Sequence, residues 1–106
     1  MKRGDVYWYA FQPPDKRRPV LILTRNSAIP MLHNVTVAPI TSTVRGVPSE
    51  VLLTPDDGMP QVCAANFYNL QTVSKPKLGE RITSLSAGKL AEIAAAASFA
   101  LGLDEA

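Results

Sequence analysis

The chain has 106 residues, 46% of them apolar, and a formal net charge of +2. That is enough for one domain around one core, excludes a disordered chain, and leaves no apolar stretch long enough to span a membrane. Cys63 is the only cysteine, so an internal disulfide and a thiolate metal cluster are both excluded. Charge is unevenly spread. Met1 to Gly46 holds seven cations against Asp5 and Asp15, a net +5, and the remainder is net −3. A basic N-terminal half fits a polyanion partner such as nucleic acid, and equally a solvated charged surface.

Asp5-Val6-Tyr7-Trp8-Tyr9-Ala10-Phe11 is aromatic-rich and reads as a first strand, with Tyr7 and Tyr9 on one face and Trp8 on the other. The start leads into this strand rather than into the apolar run of a signal peptide, so a cytosolic protein is expected. Gln12-Pro13-Pro14-Asp15 breaks the strand as a stiff connector. Lys16, Arg17 and Arg18 then run into a second strand, Pro19 to Thr24, with Val20 to Leu23 expected in the core. Pro19 fixes its own φ and biases Arg18 toward an extended backbone, so a guanidinium is aimed from the rigid mouth of a packed element.

Arg25 to Asn34 reads as a loop. Val35 to Ile40 is a third strand, and its Pro39 points to an edge or a bulge just before Thr41, Ser42 and Thr43. Ser42 to Ser49, with Arg45, is expected to be a mobile surface loop. Glu50 to Leu53 is a short strand closed by the turn Thr54-Pro55-Asp56-Asp57-Gly58. Gln61 to Phe67 and Asn69 to Val73 are further strands, and Leu78 to Leu85 is open between strand and turn. The one helix starts at the N-cap Ser86, carries the stripe Leu90, Ile93, Ala94, Ala97 and Leu101, and ends at Gly102. Its alanines cover several faces and suit close packing against a second body, which points to a dimer. Residues 1–106 thus form one domain, mainly β with a C-terminal α-helix, bent into a small barrel.

His33 is the only histidine, which excludes a two-histidine acid–base ribonuclease scheme. Cys63 sits in an apolar run and reads as a packing residue. There is no P-loop, no dinucleotide fingerprint and no metal-ligand spacing, and Asp56-Asp57 reads as a turn. No cofactor is expected. Arginines and hydroxyls remain, and they suffice for phosphodiester cleavage where the substrate brings its own nucleophile, as RNA does with its 2′-hydroxyl. A guanidinium donates a fork of hydrogen bonds to phosphate oxygens and keeps its charge. Taken alone, Arg18 also fits a surface cation beside a strand.

Four segments together resemble the MazF/PemK family of toxin endoribonucleases: Arg3-Gly4-Asp5-Val6-Tyr7-Trp8, Arg18-Pro19-Val20-Leu21-Ile22-Leu23, Val37-Ala38-Pro39-Ile40-Thr41-Ser42, and Asn69-Leu70-Gln71-Thr72-Val73-Ser74-Lys75. The resemblance implies an SH3-like barrel of the CcdB/PemK type, found as a homodimer. It implies the toxin of a type II toxin–antitoxin system, an mRNA interferase that cleaves single-stranded RNA at short sequences without metal. The products would be a 2′,3′-cyclic phosphate and a 5′-hydroxyl. The family's catalytic arginine and threonine fall on Arg18 and Thr41. Arg18 is expected to stabilise the charged transition state and to protonate the leaving 5′-oxygen, and Thr41 to orient the phosphate. Lys16, Arg17, Arg25, Ser42, Thr43 and Arg45 are the expected RNA-binding residues. A cognate antitoxin partner is implied. The connector before Arg18 is shorter than the glycine-containing segment with a Ser-Glu pair that many members carry, so RNA preference and antitoxin fit are expected to be this chain's own. The competing readings are a non-catalytic CcdB-like toxin that binds a topoisomerase, and a plain RNA-binding barrel module.

Overall fold

The computed structural model describes residues 1–13 and 16–105; Pro14 and Asp15 of the expected connector lie outside the described residues. Seven strands run as β1 Asp5–Ala10, β2 Arg17–Ile22, β3 Asn34–Thr41, β4 Glu50–Leu53, β5 Cys63–Asn66, β6 Gln71–Ser74 and β7 Leu78–Ser84, followed by the helix α1 Ala87–Leu101. Short 3-10 turns occupy Ile29–Met31, Pro55–Asp57 and Lys75–Lys77. The segment left open between strand and turn is therefore β7, paired antiparallel with β1.

Pairing follows the order β4-β5-β3-β2-β1-β7, with β6 also on β3. The mainly β architecture with its C-terminal helix is the expected one. Strand-to-strand hydrogen bonding does not run full circle among the described residues, since β4 and β7 end the order. One side-chain link draws the two ends together: the Thr83 hydroxyl donates to the Asp57 carbonyl at 2.9 Å.

Alternation along the strands builds two apolar layers. Val6, Leu21, Ala38, Ile40, Leu53 and Phe67 pack on one face, under Ile93 and Ala96 of α1. Val20, Ile22, Val35, Val37 and Val73 pack on the other, with Tyr7, Tyr9 and Phe11 against them. Removing each such large side chain from water contributes about 2 kcal/mol. Trp8 takes the opposite face from Tyr7 and Tyr9, as alternation requires.

Three sequence expectations are corrected. First, Pro39 lies inside a central strand rather than at an edge or bulge. Thr36 turns both its N–H and its C=O toward β2, donating to Thr24 Oγ1 at 2.8 Å and accepting from Leu23 N at 2.9 Å. Alternation therefore turns the Pro39 nitrogen away from β2. On that side β6 pairs only up to Val37 and β5 only from Ile40, so the missing donor falls in the gap where no strand asks for it. Second, β2 begins at Arg17, not at Pro19, which places Arg18 within the strand. Third, the buried stripe of α1 is rotated. Ile93 and Ala96 are buried with Leu90, Ala97 and Ala100 partly so, whereas Ala94 and Leu101 are exposed. A helix laid on a curved sheet covers a different arc from the one its longest apolar run suggests.

The helix ends as expected. The Ser86 hydroxyl accepts from Lys89 N at 3.3 Å, and Gly102 closes the last turn in the left-handed conformation at φ 69°. At the free edge of β4, Lys89 Nζ donates to the Leu52 carbonyl at 2.8 Å, with Glu92 at 3.4 Å and Asp57 at 3.9 Å.

Candidate active site

The register of β2 against β3 pairs Ile22 with Val37, Leu21 with Ala38 and Val20 with Pro39. Pro19 has no N–H with which to extend this ladder, and the pairing stops there. Continued for two more residues, the same register sets Arg18 opposite Thr41. Both belong to the alternation of Val20, Val35 and Val37, so they emerge on one face where the strands part.

Arg18 and Thr41 line two adjoining clefts together. One, of about 410 Å³, also takes Lys16, Arg17, Ser42 and Gln61. The other, of about 240 Å³, also takes Thr43, Arg45, Glu50 and Asn66. Of the eight residues singled out from sequence, seven thus meet around these clefts. Arg25 does not: it follows the far end of β2, where its carbonyl accepts from Ala28 N and Ile29 N and closes the turn at Ile29–Met31. It shares their charge but not their place, because strand direction carries it to the opposite end of β2.

The Thr41 hydroxyl is held in place. Its Oγ1 accepts the backbone N–H of Thr43 at 3.1 Å, which leaves its own proton free to be donated into the cleft. The Arg45 N–H donates to Glu50 Oε1 at 3.0 Å and pins the loop beside the cleft. Arg18 is exposed and makes no ion pair among the described residues. Arg17 lies over the Trp8 ring, 4.5 Å from its centroid.

Two other reactive groups are set aside by geometry. Cys63 lines the larger cleft, but burial, helped by Asp57, pushes its thiol pKa up and keeps it in the neutral, poorly nucleophilic form. His33 sits at the groove beside α1, with Nε2 3.4 Å from Ser74 Oγ, and lines neither cleft.

Tyr68, Asn69 and Gln71 are not among the expected site residues, although Asn69 and Gln71 belong to a segment that carries the resemblance; all three line a third cleft against Arg18. Their signal was present in the sequence as an aromatic followed by two amides one residue apart, but nothing in it ties that segment to β2. Glu50 is likewise not among them, being read only as the start of a strand.

This arrangement is a cation-lined cleft on a small β fold. Residues 2–101 match the family described as PemK-like, MazF-like toxin of type II toxin-antitoxin system. The endoribonuclease MazF3 of Mycobacterium tuberculosis is 46% identical over 90 residues, which is 85% of this chain and 87% of that one. Among solved structures, the Mycobacterium tuberculosis toxin MazF-mt6 superimposes with a TM-score of 0.84 at 40% identity, covering 92% of this chain and 96% of that one. An endoribonuclease in complex with its cognate antitoxin, from a mycobacterial species, gives a TM-score of 0.87 at 27% identity over 97% of this chain and 96% of that one. The chain belongs to the PemK-like, MazF-like family of toxins, and endoribonuclease is its class.

Proposed function

We propose that this toxin cuts single-stranded RNA at short sequences, with Arg18 and Thr41 as the catalytic pair. The 2′-hydroxyl gives up its proton and its oxygen attacks the adjacent phosphorus, the bond to the 5′-oxygen breaks and that oxygen takes up a proton, and the products are a 2′,3′-cyclic phosphate and a 5′-hydroxyl end. Negative charge builds on the non-bridging oxygens during attack. The forked Arg18 guanidinium donates to those oxygens, and the Thr41 hydroxyl donates to the same phosphate. Each preorganised donor of this kind is worth about 3 kcal/mol of barrier. Lys16, Arg17, Ser42, Thr43 and Arg45 hold the strand on either side. Positive charge is supplied by the protein itself, so no metal ion is required. The observation that carries this reading is the shared cleft: Arg18 and Thr41 line the same two cavities, with Lys16, Arg17 and Arg45 around them.

The cognate antitoxin covers this cationic cleft with acidic residues, in keeping with the antitoxin complex among the structural neighbours. The toxin works as a homodimer in the cytoplasm, where its substrate is. Support for a second copy comes from the largely apolar groove of about 610 Å³ between α1 and β3, and from Leu101, exposed at its rim. Among the described residues no helix is long and apolar enough to cross a membrane.

The test is incubation of the purified protein with long RNA in EDTA. Wild type is expected to yield fragments with 5′-hydroxyl ends, and Arg18→Ala to yield none while its melting curve is unchanged. RNA that stays intact across several sequences overturns the proposal, and stalled topoisomerase–DNA complexes in cells with RNA intact replace it with the CcdB-like reading.

A further inference from the structure

Arg18 is a partition as well as a wall. On its other side lies a separate cavity of about 490 Å³ with Phe11 and Pro39 as apolar lining and Tyr68, Asn69 and Gln71 around them. Tyr68 is 64% exposed, unusual for a ring of its size. Its position is enforced. The neighbouring Phe67 is buried at 1% exposure and its N–H donates to the Ser49 carbonyl at 3.0 Å, while Tyr68 N donates to Asn66 Oδ1 at 2.9 Å. Anchoring Phe67 inward turns Tyr68 outward. The fold gains nothing from an aromatic ring left in water beside two exposed amides.

Among the described residues Arg18 is the only charged one lining this cavity, so its chemistry is that of a flat, neutral, hydrogen-bonding ligand rather than a second anion. We propose that it takes one unpaired nucleobase of the bound RNA, next to the phosphate held by Arg18. Tyr68 stacks on the base, Phe11 and Pro39 accept its apolar faces and edges, and the amides of Asn69 and Gln71 read its hydrogen-bonding edge. Stacking on an aromatic ring is tolerant of base identity, whereas an amide presents donor and acceptor together and discriminates. Affinity and specificity are therefore divided between Tyr68 and the two amides. The inference rests on the RNA-cleaving reading and names a specificity subsite of that site.

The experiment maps 5′-hydroxyl ends made from a random-sequence RNA pool, together with kcat/KM on the preferred site. Tyr68→Ala is expected to lower kcat/KM about tenfold, and Tyr68→Phe, which keeps the ring, to change it less than about twofold. Asn69→Ala and Gln71→Ala are exposed changes that keep the fold, and each is expected to relax the base preference at one position about tenfold while the other positions keep theirs. Unchanged preference in both amide variants, or equal relaxation at every position, overturns the subsite while leaving cleavage intact. A wild type that cuts no RNA overturns the cleavage reading and the subsite with it. Loss of antitoxin binding in Tyr68→Ala, with RNA cutting and preference unchanged, reassigns the cavity to the protein partner and overturns the base pocket.

Discussion

The guanidinium carbon of Arg17 lies 4.5 Å from the centroid of the Trp8 ring. The strand register explains it: Trp8 stands opposite Pro19, and Arg17 is its diagonal neighbour on the same face. Stacking of an exposed cation on this half-buried indole is worth about 1 kcal/mol, small for stability but enough to restrict a long side chain. Arg17 is therefore preorganised, whereas a lysine there keeps the charge and loses the planar stack. Arg17→Ala is expected to weaken binding of single-stranded RNA and to flatten the slope of log K against log salt by about 0.7. Arg17→Lys is expected to keep the salt slope but to bind more weakly than wild type. Fluorescence titration of an Arg18→Ala background at several salt concentrations reads both. An unchanged slope in Arg17→Ala removes Arg17 from the phosphate path.

Thr41→Ala is expected to lower kcat by on the order of 100-fold with little change in melting temperature, because it deletes one donor to the phosphate. Thr41→Ser keeps the hydroxyl and its bond from Thr43 N and should retain most activity. Single-turnover cleavage of a short RNA separates the two. Equal loss in both variants assigns Thr41 to packing instead.

Most of the fold was legible because alternation and turn residues are local signals. The aromatic alternation of β1, the turn at Thr54 to Gly58 and the caps of α1 were all visible as residue patterns. The turn even forms a reciprocal cap, with Asp57 Oδ2 accepting from Thr54 N and Thr54 Oγ1 accepting from Asp56 N. What was not legible is set by pairing. The place of Pro39 in a central strand depends on two other strands sharing one side of β3. The separation of Arg25 from the cleft depends on strand direction, and the meeting of Tyr68 and Gln71 with Arg18 depends on a contact some fifty residues apart in sequence. Charge and composition carry no information about any of these.

Gly58 holds φ at 93°, and a Cβ built on it would fall 2.3 Å from Thr83 Oγ1. That hydroxyl links the turn to β7 through its bond to the Asp57 carbonyl. Gly58→Ala thus imposes a left-handed alanine and breaks the link, at a cost of about 2 kcal/mol or more. The melting temperature is expected to fall by about 10 °C. Gly58→Ala in a Thr83→Gly background, which removes both the hydroxyl and the Cβ that lies 2.8 Å away, should cost less; an equal cost assigns the whole effect to backbone conformation.

Burial raises the pKa of the Cys63 thiol, with Asp57 adding to the shift, and burial also raises that of the Tyr7 hydroxyl. Both groups hold their proton more tightly folded than unfolded. Their contribution is complete below the ordinary value, 9.0 for the thiol, and is lost as pH rises from there through the raised value. Stability to denaturant is therefore expected to fall above about pH 9, and Cys63→Ser or Cys63→Ala to make that fall shallower. Thiol alkylation of the native protein at neutral pH is expected to be slower than that of the unfolded chain. Equal rates contradict a buried, protonated Cys63.

The ammonium of Lys89 has a consequence for how the molecule meets its own copies. An approaching strand at the β4 rim would have to displace it from the Leu52 carbonyl and leave a cation facing its backbone. Open-ended stacking of one sheet onto the next is thereby discouraged at this edge. For molecules crowded together at high expression, this rim is a stop to fibre growth rather than a seed for it.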